Sequence, residues 1–317
     1  MIEVEALSKR YGEFMALAGI SFRAEPGEIL GFLGPNGAGK TTTMRILTGY
    51  MPPTTGTARV CGFDVLEESI EVRRRVGYLP ETVPLYPDMT VGGYVLYIAK
   101  LRGVDDPAGR TEAVLKTVGM WERRHSLIRS ISKGMRQRTG LAQALVHAPE
   151  VLILDEPTIG LDPRQTLEVR EMVGSLRQQH TIMFSTHILS EAEQVCDRVI
   201  IIDKGQIVAM GTPQELRDRL QRGARLFVRF EGEPSSNQPR KVIEAVAGVA
   251  RAAPFSDGWS VETHPNADPV AVRGALAAAI VGAGWKLIEL RPLAMSLEDI
   301  FLELTARQGN REGKGGK

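Results

Sequence analysis

Short apolar segments alternate with longer amphipathic segments through residues 2–221 of the chain. Strict alternation or a continuous apolar run predicts a strand, whereas apolar residues spaced three and four apart predict a helix. The predicted strands are 2–7, 20–24, 28–33, 57–61, 76–80, 151–154, 181–185, 199–203 and 206–210. The predicted helices are 42–47, 65–75, 90–103, 107–118, 132–147, 164–179, 189–196 and 213–221. Strands that alternate with helices in this way are typical of an α/β fold with a covered central sheet.

The composition changes after Gly223, where a second pattern of short elements begins. The predicted order is strand 225–231, helix 240–247, strands 249–254 and 258–263, helix 269–282, strand 285–291 and helix 296–307. This βαββαβ order fits a ferredoxin-like α+β domain. The sequence therefore predicts a first domain over 1–222 with a helical insert at about 84–147, a small domain over 223–307, and a flexible Gly/Lys-rich tail over 308–317.

A glycine-rich segment joins the predicted strand 28–33 to the predicted helix 42–47. Its residues are Gly34, Pro35, Asn36, Gly37, Ala38, Gly39, Lys40 and Thr41. The spacing G-x-x-x-x-G-K-T is that of a P-loop, in which backbone N–H groups and a helix N-terminus surround a phosphate chain. Lys40 adds a positive charge for the outer phosphates, and the Thr41 hydroxyl can ligate Mg²⁺. The full match in a strand-to-helix context disfavours a glycine turn that binds no ligand.

Two adjacent carboxylates, Asp155 and Glu156, follow a continuous apolar run. In a chain with a P-loop, Asp155 is suited to a Mg²⁺ shell and Glu156 to orienting or deprotonating an attacking water. His187 ends another predicted strand and can reach a terminal phosphate, although a lone histidine there is more often structural. Glu81 and Asp162 are further candidate site residues. The alternative interpretation of Glu81 is a surface carboxylate, and that of Asp162 is a helix N-cap.

Tyr11 has both a functional and a structural interpretation, whereas Ser132 has a structural one at this point. Tyr11 lies upstream of the P-loop and offers an aromatic face to a nucleobase, or it is a half-buried tyrosine at a strand end. Ser132 is placed as the N-cap of the helix that runs to His147.

Composition and charge exclude several classes of protein. The chain has 317 residues, 43% hydrophobic and 24% charged, which is ordinary for a globular protein of about two domains. Its net charge of +1 gives no argument for a nucleic-acid partner or an anionic membrane surface. Cys61 and Cys196 lie far apart, as expected of reduced cytosolic thiols. The start of the chain lacks the basic character of a signal peptide, and no apolar stretch reaches the ~18 residues of a membrane span.

The order of the motifs resembles the ATP-binding subunits of ABC transporters, in particular those of ABC-2-type export systems for drugs, polysaccharides or gliding motility. The resemblance covers about residues 2–221, and the segment 297–305 also recurs in that group. The segments that carry it are Tyr11, G-P-N-G-A-G-K-T, G-Y-L-P-E, I-S-K-G-M-R-Q-R, V-L-I-L-D-E-P, G-L-D-P and S-T-H. It implies a P-loop NTPase fold with a mixed central sheet, an antiparallel β subdomain and a helical insert.

The resemblance implies a role for each matching residue. Tyr11 stacks on adenine, and the segment from Gly34 to Thr42 is the Walker A loop. Thr41, Asp155 and Glu81 ligate Mg²⁺. Glu156 is the catalytic base, His187 contacts the γ-phosphate, and Glu81 takes part in catalysis. The positions implied to bind the nucleotide are Tyr11, Gly34, Pro35, Asn36, Gly37, Ala38, Gly39, Lys40, Thr41, Thr42, Ser132, Gly134 and Asp162.

Two positions depart from the family pattern. The signature L-S-G-G-Q is Ile-Ser-Lys-Gly-Met here, so that Lys133 replaces a glycine between Ser132 and Gly134. The glutamine that links metal and water to the permease contact is Glu81, which still ligates Mg²⁺ but cannot donate a hydrogen bond while ionised. These changes affect the expected strength of permease coupling and not ATP binding.

The sequence thus predicts an ATPase that uses ATP and Mg²⁺. Its expected partners are a second ATP-binding subunit, as a homodimer, and an integral-membrane permease near Glu81–Met89, with no nucleic acid. Its expected location is cytoplasmic, on the inner face of the membrane through the permease. The alternative is a soluble ABC ATPase that acts on ribosomes or DNA, which the single P-loop and near-neutral charge disfavour.

Overall fold

The computed structural model of the protein describes residues 1–220, 225–231 and 237–293. These residues belong to two compact units, the first running to Pro213 and the second beginning at Gln214. The predicted helix 296–307 and the predicted tail 308–317 lie outside the described residues. Among the helices that are described, each is too short or too polar to cross a lipid bilayer.

The first unit alternates strands and helices along most of its length. In chain order its elements are β1 (Ile2–Tyr11), β2 (Phe14–Ala24), β3 (Ile29–Leu33), α1 (Lys40–Leu47), β4 (Thr55–Val60), β5 (Phe63–Asp64), α2 (Ser69–Arg75), β6 (Val76–Leu79), α3 (Val91–Leu101), α4 (Pro107–Thr117), α5 (Lys133–Leu145), β7 (Val151–Asp155), α6 (Pro163–Leu176), β8 (Thr181–Thr186), α7 (Leu189–Val195), β9 (Arg198–Asp203) and β10 (Gln206–Gly211). Helix α8 (Pro213–Leu220) follows at the boundary between the units.

The central sheet has the strand order β10-β9-β3-β8-β7-β6. Its strands are parallel except for β10, which pairs antiparallel with β9 through a tight turn. Strands β3, β7 and β8 are buried along their whole length, as expected of parallel strands covered on both faces. Because β3 and β7 both neighbour β8, the segments that follow these three strands lie at one edge of the sheet.

A second, antiparallel sheet has the order β2-β1-β4-β5 and belongs to the same hydrophobic core as the central sheet and α1. Ile2, Leu7 and Phe22 come from this sheet, and Met44 comes from α1. The Phe22 ring lies 5.5 Å from the ring of Phe32 on the central sheet. The start of α1 is therefore held in place by packing against both sheets.

The largest boundary errors in this unit concern β1, β2 and α2. The hairpin β1–β2 extends to Tyr11 and Phe14, because bulges after Val4 and Lys9 break the alternation that signals a strand. Helix α2 starts at Ser69 and not at residue 65. The Asp64 carboxylate accepts hydrogen bonds from the backbone N–H groups of the second and third residues after it and makes a turn there instead.

The second unit has the predicted βαββαβ order. Its elements are β11 (Arg225–Phe230), α9 (Asn237–Glu244), β12 (Val249–Phe255), β13 (Gly258–Thr263), α10 (Pro269–Gly282) and β14 (Leu287–Pro292). The antiparallel sheet order β12-β13-β11-β14 is that of the ferredoxin-like fold. Helix α9 starts three residues before the predicted position, because Pro239 is compatible with a first helical turn. It ends ahead of Gly248, whose φ is +93°.

Two histidines, the half-buried His147 and the buried His180, lie near the start of the central strands. The Nε2 atom of His147 is 3.1 Å from the Val76 carbonyl oxygen, and Nδ1 of His180 is 2.7 Å from the Pro149 carbonyl oxygen. Burial lowers the pKa of His147 to about 4 and also lowers the pKa of His180. Both rings are therefore neutral in the folded protein at neutral pH.

We predict that His147 makes the protein less stable in mild acid. Between pH 6.5 and pH 4 the unfolded chain binds a proton at this ring that the folded chain does not, so unfolding is favoured as the pH falls. The expected loss is about 2 kcal/mol from pH 7 to pH 5. Urea titrations at the two pH values would show a smaller loss for His147→Gln. The exposed-site control His125→Gln should behave like the wild type, and equal losses in all three proteins would contradict the prediction.

Candidate active site

The glycine-rich loop between β3 and α1 passes very close to its neighbours. A Cβ atom on Gly34 would lie 2.2 Å from the Ile202 carbonyl oxygen, and one on Gly39 would lie 2.7 Å from the Ala16 carbonyl oxygen. Gly39 also has a φ of +109°, which favours glycine. These two positions therefore exclude every side chain, and the loop presents its backbone to the cleft above it.

The turn between β9 and β10 connects this loop to the antiparallel sheet. Its Gly205 donates from its backbone N–H to the Ala38 carbonyl oxygen at 3.0 Å and accepts from the Ala18 N–H at 2.9 Å. A Cβ on Gly205 would lie 2.6 Å from the Ala16 carbonyl oxygen. The turn thus joins the loop and β2 through backbone contacts.

A cleft of about 330 Å³ opens above the glycine-rich loop. It is lined by Tyr11, Phe14, Ala16, Pro35, Asn36, Gly37, Gly39, Lys40, Thr41, Thr42, Glu81, Glu156 and Ile159. Most of the predicted phosphate-binding residues and the predicted aromatic residue therefore line a single cavity. Gly34 and Ala38 lie beneath it in the loop, and both are buried.

The Lys40 ammonium group lies at the floor of this cleft, where only 5% of the side chain is exposed. It donates to the Gly34 carbonyl oxygen at 2.7 Å and lies 3.2 Å from Oε1 of Glu156, a carboxylate that is likewise buried. Glu156 is held with a φ of +49°, uncommon for a residue with a side chain. Backbone strain of this kind concentrates at functional sites.

The segments that follow β7 and β8 are linked by hydrogen bonds. The Ser185 hydroxyl donates to Oδ1 of Asp155 at 2.7 Å and accepts from the Glu156 N–H at 2.9 Å. On the other side of Glu156, its Oε2 lies 2.8 Å from Nδ1 of His187. The predicted residues Asp155, Glu156 and His187 therefore form one connected group.

Burial, with the Asp155 carboxylate nearby, raises the pKa of Tyr78 to about 12.

The predicted residues Ser132, Gly134 and Asp162 lie outside the cleft lining. Ser132 caps α5 by accepting from the Met135 N–H, and Asp162 caps α6 by accepting from the Gln165 N–H at 2.9 Å. A Cβ on Gly134 would lie 2.5 Å from the side-chain oxygen of Gln165. The N-terminal ends of α5 and α6 are thus neighbours.

Glu81 is exposed and lines a second cleft as well as the first. The second cleft has a volume of about 620 Å³. Its lining residues are Glu81, Thr82, Val83, Leu85, Pro87, Ile128, Arg129, Lys133, Arg136, Gln137 and Ile159. Glu81 and Ile159 belong to both linings, so the two clefts are adjacent.

The sequence reasoning missed Phe14 and Ser185. Phe14 pairs directly with Tyr11 across the β1–β2 hairpin, so the two side chains lie on the same face of the sheet. The two rings are 62% and 44% exposed and line the same cleft. The missed signal was the length of the hairpin, since the predicted strands ended at residue 7 and resumed only at residue 20. Ser185 needed knowledge of the strand order, which the sequence pattern does not contain.

Comparison with known proteins identifies the family. Residues 17–159 match the ABC transporter domain. The linearmycin resistance ATP-binding protein LnrL of Bacillus subtilis is 32% identical over 97% of this chain and 99% of its own length. The Nod factor export ATP-binding protein I of Burkholderia pseudomallei is 34% identical over 97% of each chain. The chain belongs to the ABC transporter ATP-binding proteins.

Solved structures agree with this assignment. The ATP-binding subunit of an ABC transporter matches the ABC ATPase described here with a TM-score of 0.63 at 31% identity, over 69% of this chain and 92% of that one. CbiO1 of Clostridium perfringens, part of the cbiONQ transporter complex, has a TM-score of 0.63 at 28% identity, over 68% and 89% of the two chains. A dimeric cassette bound to ADP and Pi shares the fold, with a TM-score of 0.62 at 22% identity.

The predicted family and fold class are therefore confirmed. The ABC ATPase binds and hydrolyses ATP as the ATP-driven subunit of a transport system. The alternative prediction, an ABC ATPase acting on ribosomes or DNA, is not supported by these relatives.

We predict that Phe14 and Tyr11 both contribute to ATP affinity, because both exposed aromatic side chains line the cleft and can stack on a base. Phe14→Ala and Tyr11→Ala should each weaken ATP binding about fivefold, the lower end of base–aromatic stacking energies. Isothermal titration of the purified ABC ATPase measures this directly. Tyr50→Ala removes a ring that is 75% exposed and does not line the cleft, so its affinity should be unchanged. Wild-type affinity in Phe14→Ala would contradict the prediction.

Proposed function

We propose that two copies of the chain bind ATP between them, and that closing and reopening of this dimer powers export through a separate membrane permease. The observation that carries this proposal is the division of the predicted site. Most of the P-loop lines one cleft together with Glu81 and Glu156. Ser132, Gly134 and Asp162 lie outside that lining, at the starts of two neighbouring helices. A second copy that presents those helix starts to the cleft would complete the site, so ATP would stabilise the dimer.

Within the cleft, the triphosphate would lie against the backbone N–H groups of the glycine-rich loop and the N-terminal end of α1. The Lys40 ammonium group, which contacts Glu156 and Gly34, would turn to the outer phosphates. This exchange leaves the Glu156 carboxylate free to accept a proton from an attacking water. His187, which contacts Glu156, would donate to the terminal phosphate.

The residues near Glu156 fit a Mg²⁺ ion. Oδ2 of Asp155 is a buried carboxylate oxygen with no hydrogen-bond partner, and such an oxygen is costly to bury unless a cation or donor reaches it. The Thr41 hydroxyl and the Glu81 carboxylate line the cleft. Oxygen atoms of this kind are the ligands that Mg²⁺ prefers, together with substrate phosphates. When bound, the ion would neutralise the charge that develops on the phosphate oxygens.

The permease would dock at the second cleft. Leu85 lines this cleft, and the neighbouring Tyr86 ring is 52% exposed and packs edge-on against Tyr94. Glu81, which lines both clefts, offers a direct route from the docking surface to the nucleotide. Docking would hold the ATPase on the cytoplasmic face of the membrane. The relatives named for Nod factor export support an export direction.

We predict that Glu156→Gln abolishes turnover and traps an ATP-bound dimer. The amide cannot accept the proton of the attacking water, so kcat should fall at least about 100-fold, within the usual range for a general base. The ATPase rate and size-exclusion chromatography with ATP measure the two effects. Glu122→Gln, which neutralises an exposed carboxylate, is the control. Undiminished hydrolysis in Glu156→Gln would remove Glu156 from this role.

We predict that Leu85→Asp and Tyr86→Asp release the ATPase from the membrane. A charge in the apolar part of the docking surface would weaken permease binding and leave the nucleotide cleft intact. In the native cells, the variant chains should move from the membrane fraction to the soluble fraction. The ATPase rate of the purified chains should stay within about twofold. Leu66→Asp changes a residue that is 58% exposed and outside both clefts, and serves as the control. Full membrane recovery of both variants would place docking elsewhere.

A further inference from the structure

Glu191 on α7 is a buried carboxyl group for which the roles described above give no account. Only 3% of the surface of Glu191 is exposed. Its Oε2 atom accepts a hydrogen bond from the Thr158 hydroxyl at 2.7 Å and a second from the Thr186 hydroxyl at 3.0 Å. Placing a carboxyl group in the interior is costly without such partners. Thr186 lies 5 residues before Glu191 in the chain, whereas Thr158 lies 33 residues before it, so the group links its own segment to a distant one.

The two threonines lie next to the proposed catalytic groups. Thr158 is two residues after Glu156, in the segment that follows β7, and Thr186 directly precedes His187 at the end of β8. The two segments are also in contact where Nδ1 of His187 lies 2.8 Å from Oε2 of Glu156. The Glu191 carboxyl group is therefore a second connection between the same two segments.

A role confined to the start of α7 does not explain these contacts. In a capping box, the carboxyl group of the third helical residue accepts from the N–H group of the N-cap. Here Ile188 is the N-cap, and its N–H donates to the Thr186 hydroxyl at 3.0 Å. The Glu191 oxygen is used by the two threonine hydroxyls. Its observed bonds thus serve the segments after β7 and β8.

We propose that Glu191 is a positioning residue for ATP hydrolysis, which clamps the segment of Glu156 to the segment of His187 through Thr158 and Thr186. The clamp keeps the histidine ring against the carboxylate, so that both groups face the terminal phosphate in a fixed arrangement. This proposal rests on the proposed roles of Glu156 and His187. A displacement of about 1 Å in a catalytic arrangement can lower a rate about 100-fold.

The test compares Glu191→Ala with Glu191→Gln in the full-length protein. The alanine removes the acceptor of both hydrogen bonds, so kcat should fall about 10- to 100-fold. KM for ATP should change less than about threefold, since the residue does not line the nucleotide cleft. The side-chain oxygen of glutamine can replace Oε2 and accept from both hydroxyls. Glu191→Gln should therefore retain kcat to within about threefold.

A double-mutant cycle with His187→Ala separates positioning from general destabilisation. In the wild-type background His187→Ala should lower kcat strongly, whereas in the Glu191→Ala background it should lower kcat much less, because the pair is already displaced. Fully additive effects, or a loss in Glu191→Gln as large as in Glu191→Ala, would overturn the clamp. If His187→Ala leaves the wild-type rate unchanged, the proposed role of His187 fails, and the clamp fails with it.

Threonine variants keep the proposal testable if Glu191→Ala does not fold. Thr158→Val and Thr186→Val retain the carboxyl group and remove one hydroxyl each, and each should lower kcat about five- to tenfold at nearly constant KM. Thr111→Val is the matched control, because the Thr111 hydroxyl is also buried and bonded, to the Pro107 carbonyl oxygen in α4. Wild-type kcat in both site variants, or an equal loss in Thr111→Val, would refute the proposal.

Discussion

The buried ion pair between Lys40 and Glu156 joins the two halves of the cleft floor, and the geometry of the site depends on it. The ammonium group belongs to the loop that starts α1, and the carboxylate follows β7, two strands away in the sheet. Both side chains are more than nine-tenths buried, so each charge relies on the other. Loss of one partner from such a pair costs about 3–5 kcal/mol, because the remaining charge stays in the interior.

Around this pair, hydroxyl groups hold the segments that follow β7 and β8 in place. Ser185 orders Asp155 and the backbone of Glu156, while Thr158 and Thr186 share one oxygen of Glu191. Hydroxyl groups donate and accept without adding charge, which suits an edge of the sheet that already carries several carboxylates. The arrangement leaves one carboxylate oxygen of Asp155 without a protein partner, at the place where a cation is expected.

The sequence predicted the parts of this site that depend on local spacing. The P-loop and the Asp155–Glu156 pair are each contained in one strand and the residues after it, so their chemistry could be inferred from pattern alone. Phe14 and Glu191 depend on which strands pair and which segments meet, and a single sequence does not specify these contacts. The boundaries of β1 and α2 were wrong for a related reason. Bulges and the side chain of Asp64 override the apolar periodicity on which the prediction relied.

The turn at Gly205 has a consequence for what the cleft selects. Its backbone hydrogen bonds join the phosphate loop at Ala38 to the sheet at Ala18, and that sheet also carries Tyr11 and Phe14. The aromatic surface and the phosphate-binding loop are therefore spaced by a rigid connection, with no room for even a methyl group at the turn. A molecule that engages both ends must have the right length as well as the right chemistry. The separation between the two aromatic rings and the glycine-rich loop therefore depends on a backbone turn at Gly205, a residue that does not itself line the cleft.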